Sequence, residues 1–241
     1  MSLLLMGCSG AENSITIPTR SIDFESGSTQ YLSMSDASFG AFNYAKFAAS
    51  FWYKKESTGA LSCPVAKLGI TATSFRLQWN SSNNLQFITS VDGVTNDGVQ
   101  TTTATYTDTA SWHHILAHFD SANGTSGDRM RLWYDGSEIT SFTTDTAPSG
   151  AVFDSTGDFQ WGYGATLAPY DGLLFQPAFF SGVLPDISTL YNAGSPKDVS
   201  GLPGLYSLLN TTASSTLEDD AILVANWTNN NTAIKSTTVP A

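Results

Sequence analysis

The chain has 241 residues, 10 Lys and Arg against 21 Asp and Glu, a formal net charge of -11, and 41% hydrophobic residues including 12% aromatic ones. So few charges beside so many aromatic side chains exclude a disordered polyanion and leave enough apolar surface for a sizeable core. Nucleic-acid phosphate and anionic membrane surfaces are excluded as partners, because both need clustered Lys and Arg, and the basic residues here are scattered.

Residues 1–20 read as an N-terminal arm. Leu3, Leu4, Leu5 and Met6 form an apolar run that is too short, and too poor in flanking positive charge, for an export signal. An apolar end of this kind points to an anchor or a contact between copies of the chain. No run approaches the roughly 20 apolar residues that span a bilayer. The two cysteines, Cys8 and Cys63, lack the spacing of a zinc site; they are either bridged or two thiols.

From residue 21 the chain alternates apolar and polar positions over short runs separated by Gly, Asn, Asp and Ser, the period of antiparallel strands. Ile22-Asp23-Phe24 and Tyr31-Leu32-Ser33-Met34 flank a turn, and Phe47 to Lys54 is an aromatic strand. Phe75, Leu77 and Trp79 alternate with Arg76 and Gln78, and Leu85 and Phe87 repeat the period, which predicts a hairpin. Thr101 to Thr109 alternates poorly and reads as a loop or an edge strand. Asp135-Gly136 sits between Arg129–Tyr134 and Ser137–Phe142, where the pair favours the positive φ angles of a type I′ turn. One short helix is expected over Pro185–Asn192, ended by Gly194. Residues 195–241 form a C-terminal extension expected to pack back on the sandwich.

The order of these pieces resembles the laminin-G-like, concanavalin A-like jelly-roll family over residues 21–194. The stretches that carry it are Ser21–Gly27 with Tyr31-Leu32, the strand Phe47–Lys54, Ser111-Trp112-His113-His114-Ile115, Arg131–Gly136, and Gly172–Leu184 leading to Tyr191-Asn192. The resemblance implies an all-β fold: a concanavalin A-like (laminin-G-like) antiparallel jelly-roll β-sandwich with one short helix. This chain departs from the family pattern at Phe175-Gln176, where an Asp-Glu pair is usual, and at Glu25, where Asp is usual. Pro177 interrupts the closing strand and predicts an edge position or a bulge there.

Four constellations are candidates for chemistry. Asp23 and Glu25 share one strand face about 6.6 Å apart, as in jelly-roll glucanases, but the acid that would precede them is Ser21. His114 and His118 share a face about 13 Å apart, with His113 opposite, too far for one zinc ion. Calcium is the only ion implied, with Asp120, Asn123 and Asp128 as the candidate ligands in a turn-rich loop; no other cofactor is expected. Trp133, placed outward beside Arg131 if Met130, Leu132 and Tyr134 face the core, and Tyr170 in a loop are the candidate aromatic platforms for a sugar ring.

These readings lead to a non-enzymatic protein. The pattern resembles lone jelly-roll proteins encoded among phage structural genes, some with a comparable tail ending near Val-Pro, here Val239-Pro240. The resemblance implies a virion component, a capsid decoration or a head or tail fibre element. It would assemble in the host cytoplasm, contact capsid or tail proteins and form homo-oligomers, with Leu3 to Met6 as the anchor. The alternative is a carbohydrate-binding adhesin module, extracellular or on a bacterial surface, whose partners are cell-surface glycans. A glucanase-like glycoside hydrolase is the remote alternative.

Overall fold

The computed structural model describes residues 20–69, 73–153, 157–162, 169–210, 218–219, 227–230 and 234–240. In chain order the strands are β1 (Ser21–Phe24), β2 (Tyr31–Met34), β3 (Lys46–Lys55), β4 (Ser62–Lys67), β5 (Phe75–Trp79), β6 (Asn84–Thr89), β7 (Gly98–Thr105), β8 (His113–Asp120), β9 (Met130–Tyr134) and β10 (Ser137–Ile139). There follow β11 (Phe142–Thr146), β12 (Phe159–Trp161), β13 (Gly172–Ser181), β14 (Tyr191–Asn192), β15 (Ser195–Pro196), β16 (Leu205–Asn210), β17 (Glu218–Asp219), β18 (Thr228–Asn230) and β19 (Ile234–Ser236). The first sheet runs β10-β9-β8-β3-β13-β1-β19, with β16 joined to β13 and β17 to β16; the second runs β11-β7-β6-β5-β4-β12-β2-β18. All described pairings are antiparallel. Among the described residues no helix is long and apolar enough to cross a membrane.

Period-two alternation builds the core between the sheets. Phe47, Phe51 and Tyr53 of β3 and Ile115 and Phe119 of β8 meet Phe75, Leu77 and Trp79 of β5 and Phe159 and Trp161 of β12, all buried. A single α-helical turn, α1 (Asp36–Phe39), carries Phe39 into this core, where its ring stacks on Phe159 with centroids 3.8 Å apart. Ser35 caps the turn by accepting from the Ser38 N–H at 3.2 Å.

One local expectation changes, one changes in part and one is resolved between its two alternatives. Pro185–Asn192 is not a helix: Asp186 caps only a 3-10 turn, Ile187–Thr189, and Tyr191–Asn192 then pairs with Ser195–Pro196 across Ala193 (φ 47°) and Gly194 (φ 95°). The β-branched Ile187 and Thr189 favour this outcome over a continued helix. Of the Thr-rich segment, residues 106–109 lie outside any strand as one alternative had it, but Thr101 and Thr102 are no edge: β7 lies between β6 and β11, and Phe142–Thr146 leaves the β9–β10 hairpin to cover it. Pro177 takes the bulge option inside a central strand, the register of β13 against β3 shifting between Phe175 and Ala178 with Gln176 at φ 52°. The hairpin turn at Asp135 (φ 45°) and Gly136 (φ 79°) has the positive angles expected of it. Residues beyond 195 supply β16 to β19, so the C-terminal segment extends both sheets by hydrogen bonding.

Candidate functional site

The outer face of the first sheet is sealed. In register across it, Trp133, Leu116, Ser50 and Ala178 form one row and Arg131, His118, Ala48 and Phe180 the next. Leu184, Ile187, Leu190, Val199 and Leu202, from the segment that follows β13, close over these rows as a second apolar cluster. Trp133 is therefore turned outward as its spacing indicates, yet it is only 7% exposed, with the Arg131 guanidinium over its ring at 4.8 Å and the His118 ring 4.4 Å away. Tyr170 is 0% exposed in the main core, its hydroxyl 3.1 and 3.2 Å from the Lys54 and Leu173 carbonyls. Neither ring offers a free face to a sugar, which corrects both as platforms: sequence spacing sets the side of a strand but not what a distant segment lays upon it.

The histidines divide as the strand period requires. His114 and His118 lie under the sealed face, where burial holds them neutral, down to about 3 and about 4; His114 Nε2 meets Ser50 Oγ at 2.9 Å. His113 is on the other side, between Asp135 Oδ2 at 2.7 Å and Asp108 Oδ2 at 3.2 Å. Burial disfavours its cation, but the Asp135 and Asp108 carboxylates outweigh burial and lift its pKa above 6.5. These contacts hold loops and offer no open coordination position.

Acidic groups gather at one end of the first sheet. Carboxylate oxygens of Asp23, Glu25 and Glu56 all lie within 4.8 Å of one another. Burial first, then the neighbouring carboxylates including Asp171, push the pKa values of Asp23 and Glu56 up. Burial works against the Asp171 anion too, but the Ser26 N–H on Oδ1 at 3.0 Å and further Ser26 and Ser57 bonds keep it below its ordinary value. The spacing suits a glycosidase pair, yet Glu25 and Glu56 are exposed. The two described clefts lie elsewhere, one beside Arg131, Glu138 and Asp145 and one between Val183 and Pro203. Of the calcium candidates, Asp120 pairs with Lys46 at 3.0 Å, Asn123 Oδ1 accepts from the Thr125 N–H at 3.0 Å, and Asp128 ends the 3-10 turn Ser126–Asp128. Leu3 to Met6 and Cys8 lie outside the described residues. Cys63 is a buried free thiol that burial pushes up to about 12.

The outer face of the second sheet is built differently. Ser33, Gln160, Ala66, Arg76 and Ile88 stand in one register row from β2 to β6, and Gln78, Gln86 and Thr101 in the next. No apolar cluster among the described residues covers these rows; the described clusters are the core and the seal on the first sheet. The polar side chains bond to one another instead. Arg76 Nε donates to Gln78 Oε1 at 3.1 Å, Gln78 Nε2 to Gln86 Oε1 at 2.7 Å, and Gln86 Nε2 to Thr101 Oγ1 at 3.0 Å. Each amide oxygen accepts from the side nearer the cation and each amide nitrogen donates away from it, so the bonds polarise in one direction. Gln160, 5% exposed, has an Oε1 that accepts from nothing. Sequence reasoning placed Arg76 and Gln78 opposite the core residues and went no further. The signal was there: three long amide or guanidinium side chains, all outward, on two strands of one hairpin.

Two antiparallel sheets packed face to face, one closed over by an apolar segment and the other carrying largely buried, mutually bonded polar side chains, define a jelly-roll sandwich. A sequence profile of the Concanavalin A-like lectin/glucanases superfamily matches residues 26–186, and the chain belongs to that superfamily. No protein of curated function matches it. Among solved structures it is similar to a native heptameric SAP-like pentraxin from Limulus polyphemus, at 12% identity and a TM-score of 0.62 over 92% of this chain and 97% of that one. It is also similar to a putative carbohydrate binding protein from Bacteroides ovatus, at 15% identity and a TM-score of 0.66, covering 93% of this chain and 62% of that one. Likeness at this identity establishes the fold.

Proposed function

We propose that the chain is a non-catalytic carbohydrate-binding module and that the outer face of its second sheet receives the glycan. The observation that carries this is the ladder from Arg76 through Gln78 and Gln86 to Thr101, in which Gln78 and Thr101 are buried and the partly exposed Arg76 and Gln86 are the groups within reach of a ligand. Sugar hydroxyls each donate and accept, and a row of aligned amides offers both functions at fixed positions. The name of the Bacteroides ovatus neighbour supports the same reading. A glycan array with the wild-type protein and a Gln78→Ala, Gln86→Ala double variant tests it. Binding to at least one glycan class, lost in a variant that still melts cooperatively, is expected; no binding, or binding untouched by the double substitution, overturns it.

Display of such a module on a phage particle, as a decoration or fibre element contacting capsid or tail proteins, is the finer form of this proposal. Display on a bacterial surface is its alternative. The apolar run Leu3 to Met6 supports an anchoring or self-associating arm. Deletion of residues 1–12 is then expected to abolish particle incorporation or oligomer formation, with glycan binding retained. Assembly unchanged by the deletion overturns the arm's role.

A further inference from the structure

We propose that the apolar run Leu3 to Met6 seats in a cleft of its own chain, at the end of β13, in a molecule that has not yet met a partner. The proposal goes beyond the glycan reading and does not depend on it. The cleft, about 150 Å³, is lined chiefly by Val183, Leu184, Pro185, Leu202 and Pro203. The Ser181 N–H donates to the Gly204 carbonyl at 2.8 Å, which fixes both walls to the end of β13. These walls are open to solvent: Val183 and Pro203 are exposed and Leu184 and Leu202 half-buried. Val183, at 45%, is one of three large apolar side chains exposed among the described residues. An apolar cavity of about 150 Å³ holds a benzene ring, so this cleft takes one leucine side chain while its neighbours lie along the mouth.

The path of the chain leads there. β3 pairs along one side of β13; on the other side β1 pairs at Gly172–Leu174 and β16 at Ala178–Phe180, so those two share one lane and meet end to end. The chain before Ser21 cannot continue in that lane, and the inner side is filled by Leu174, Phe179 and Leu209. It is left the outer side of the first sheet, where the segment from Leu184 to Leu202 lies. Because β1 runs antiparallel to β13, the arm departs toward the end of β13 that bears the cleft. Ile22 faces Leu174, and Ser181 is seven positions further on, about 23 Å. Fourteen residues join Met6 to Arg20, about 46 Å at full stretch, so the tether reaches with slack. A short tether holds its end at an effective concentration on the order of millimolar, above that of a second copy in dilute solution. Another apolar run outside the described residues, Ala221 to Ala225, is tethered too tightly. Its ends are Asp219, paired with Leu209 in the first sheet, and Trp227, beside Thr228 of the second. About 26 Å of chain between them is too short to pass Ser181, return, and cross between sheets about 10 Å apart.

The native cysteines supply the test. Cys8 follows Met6 by two positions, whereas Cys63 is a buried thiol that stays unreactive. In the full chain carrying Thr189→Cys, on the cleft wall, mild oxidation is expected to join Cys8 to position 189 within one molecule, at a rate independent of protein concentration. The Leu4→Asn, Leu5→Asn pair in that background is expected to slow the reaction tenfold or more. Alkylation of Cys8 in the otherwise native chain leaves the cleft untouched, and there the same pair is expected to speed the reaction at least threefold. A link that forms only between molecules, or either rate unmoved by the pair, overturns the proposal. Should Thr189→Cys fail to fold, the alkylation rates decide alone.

Discussion

Each outer face of the sandwich carries an arginine, and the two are treated in opposite ways. Arg131, on the first sheet, is held bidentate by Glu138 with both contacts at 2.6 Å and lies over the Trp133 ring. Arg76, on the second, is held by neutral oxygens and keeps one nitrogen free of the described residues. The first face has lost its surface character to an apolar cover and works as a second core. The second keeps its polar groups in position by bonding them to each other, at the cost of an uncompensated charge. The two outer faces of one sandwich are thus told apart by how their polar groups are satisfied rather than by composition.

Several substitutions bear on this contrast. Trp133→Ala should cost about 3–5 kcal/mol in urea unfolding, because it empties a buried site under the seal, with glycan binding unchanged in protein that remains folded. A loss below about 1 kcal/mol would mean that the first face is open after all. The histidines under the seal give a pH signature. His114 and His118 have folded pKa values below 6.5, so the unfolded chain binds protons first as pH falls. Their contribution is fully present above pH 6.5 and is lost from there toward about 4 and about 3, on the order of a few kcal/mol for the pair. His113 runs the other way, its contribution present below 6.5 and lost above its raised value, so His113→Gln should weaken the protein at acidic but not alkaline pH. Urea midpoints measured across pH for wild type and His118→Asn separate the two effects.

On the second face the stability effects should be smaller. The Gln78→Ala, Gln86→Ala pair should cost about 1–2 kcal/mol for the lost ladder bonds, far less than Trp133→Ala, while removing ligand binding. Smallest of all, Glu56→Gln should raise the melting temperature slightly at neutral pH, a gain below about 1 kcal/mol, since Asp23 and Glu25 crowd its exposed carboxylate. A fall in melting temperature would show that Glu56 is held by an attraction instead.

The strand pattern was legible because its cause is local. Phe75, Leu77 and Trp79 face inward for the same reason that Arg76 and Gln78 face outward, and the Asp135-Gly136 turn follows from two positive φ angles. The failures share a different origin. Trp133 and Arg76 look alike in sequence, each outward on an alternating strand, and only the segment from Leu184 to Leu202, folding back across the first sheet, decides that one is covered. The acidic cluster likewise brings Glu56, which follows β3, to the Asp23 and Glu25 pair already adjacent in sequence, and they meet only because β1 and β3 both flank β13. The helix expected at Pro185–Asn192 failed because its last two residues, Tyr191 and Asn192, pair with Pro196 and Ser195.

The strands β18 and β19 lie at the outer margins of the two sheets, against β2 and β1. During synthesis these two follow every other described strand out of the ribosome, so β1 and β2 wait longest for their neighbours. Until residue 236 has emerged, a nascent chain displays two bare rows of backbone donors and acceptors, each able to zip onto another unfinished copy. Yield in a foreign host should therefore respond to translation speed and chaperone supply more strongly than to the stability of the finished sandwich.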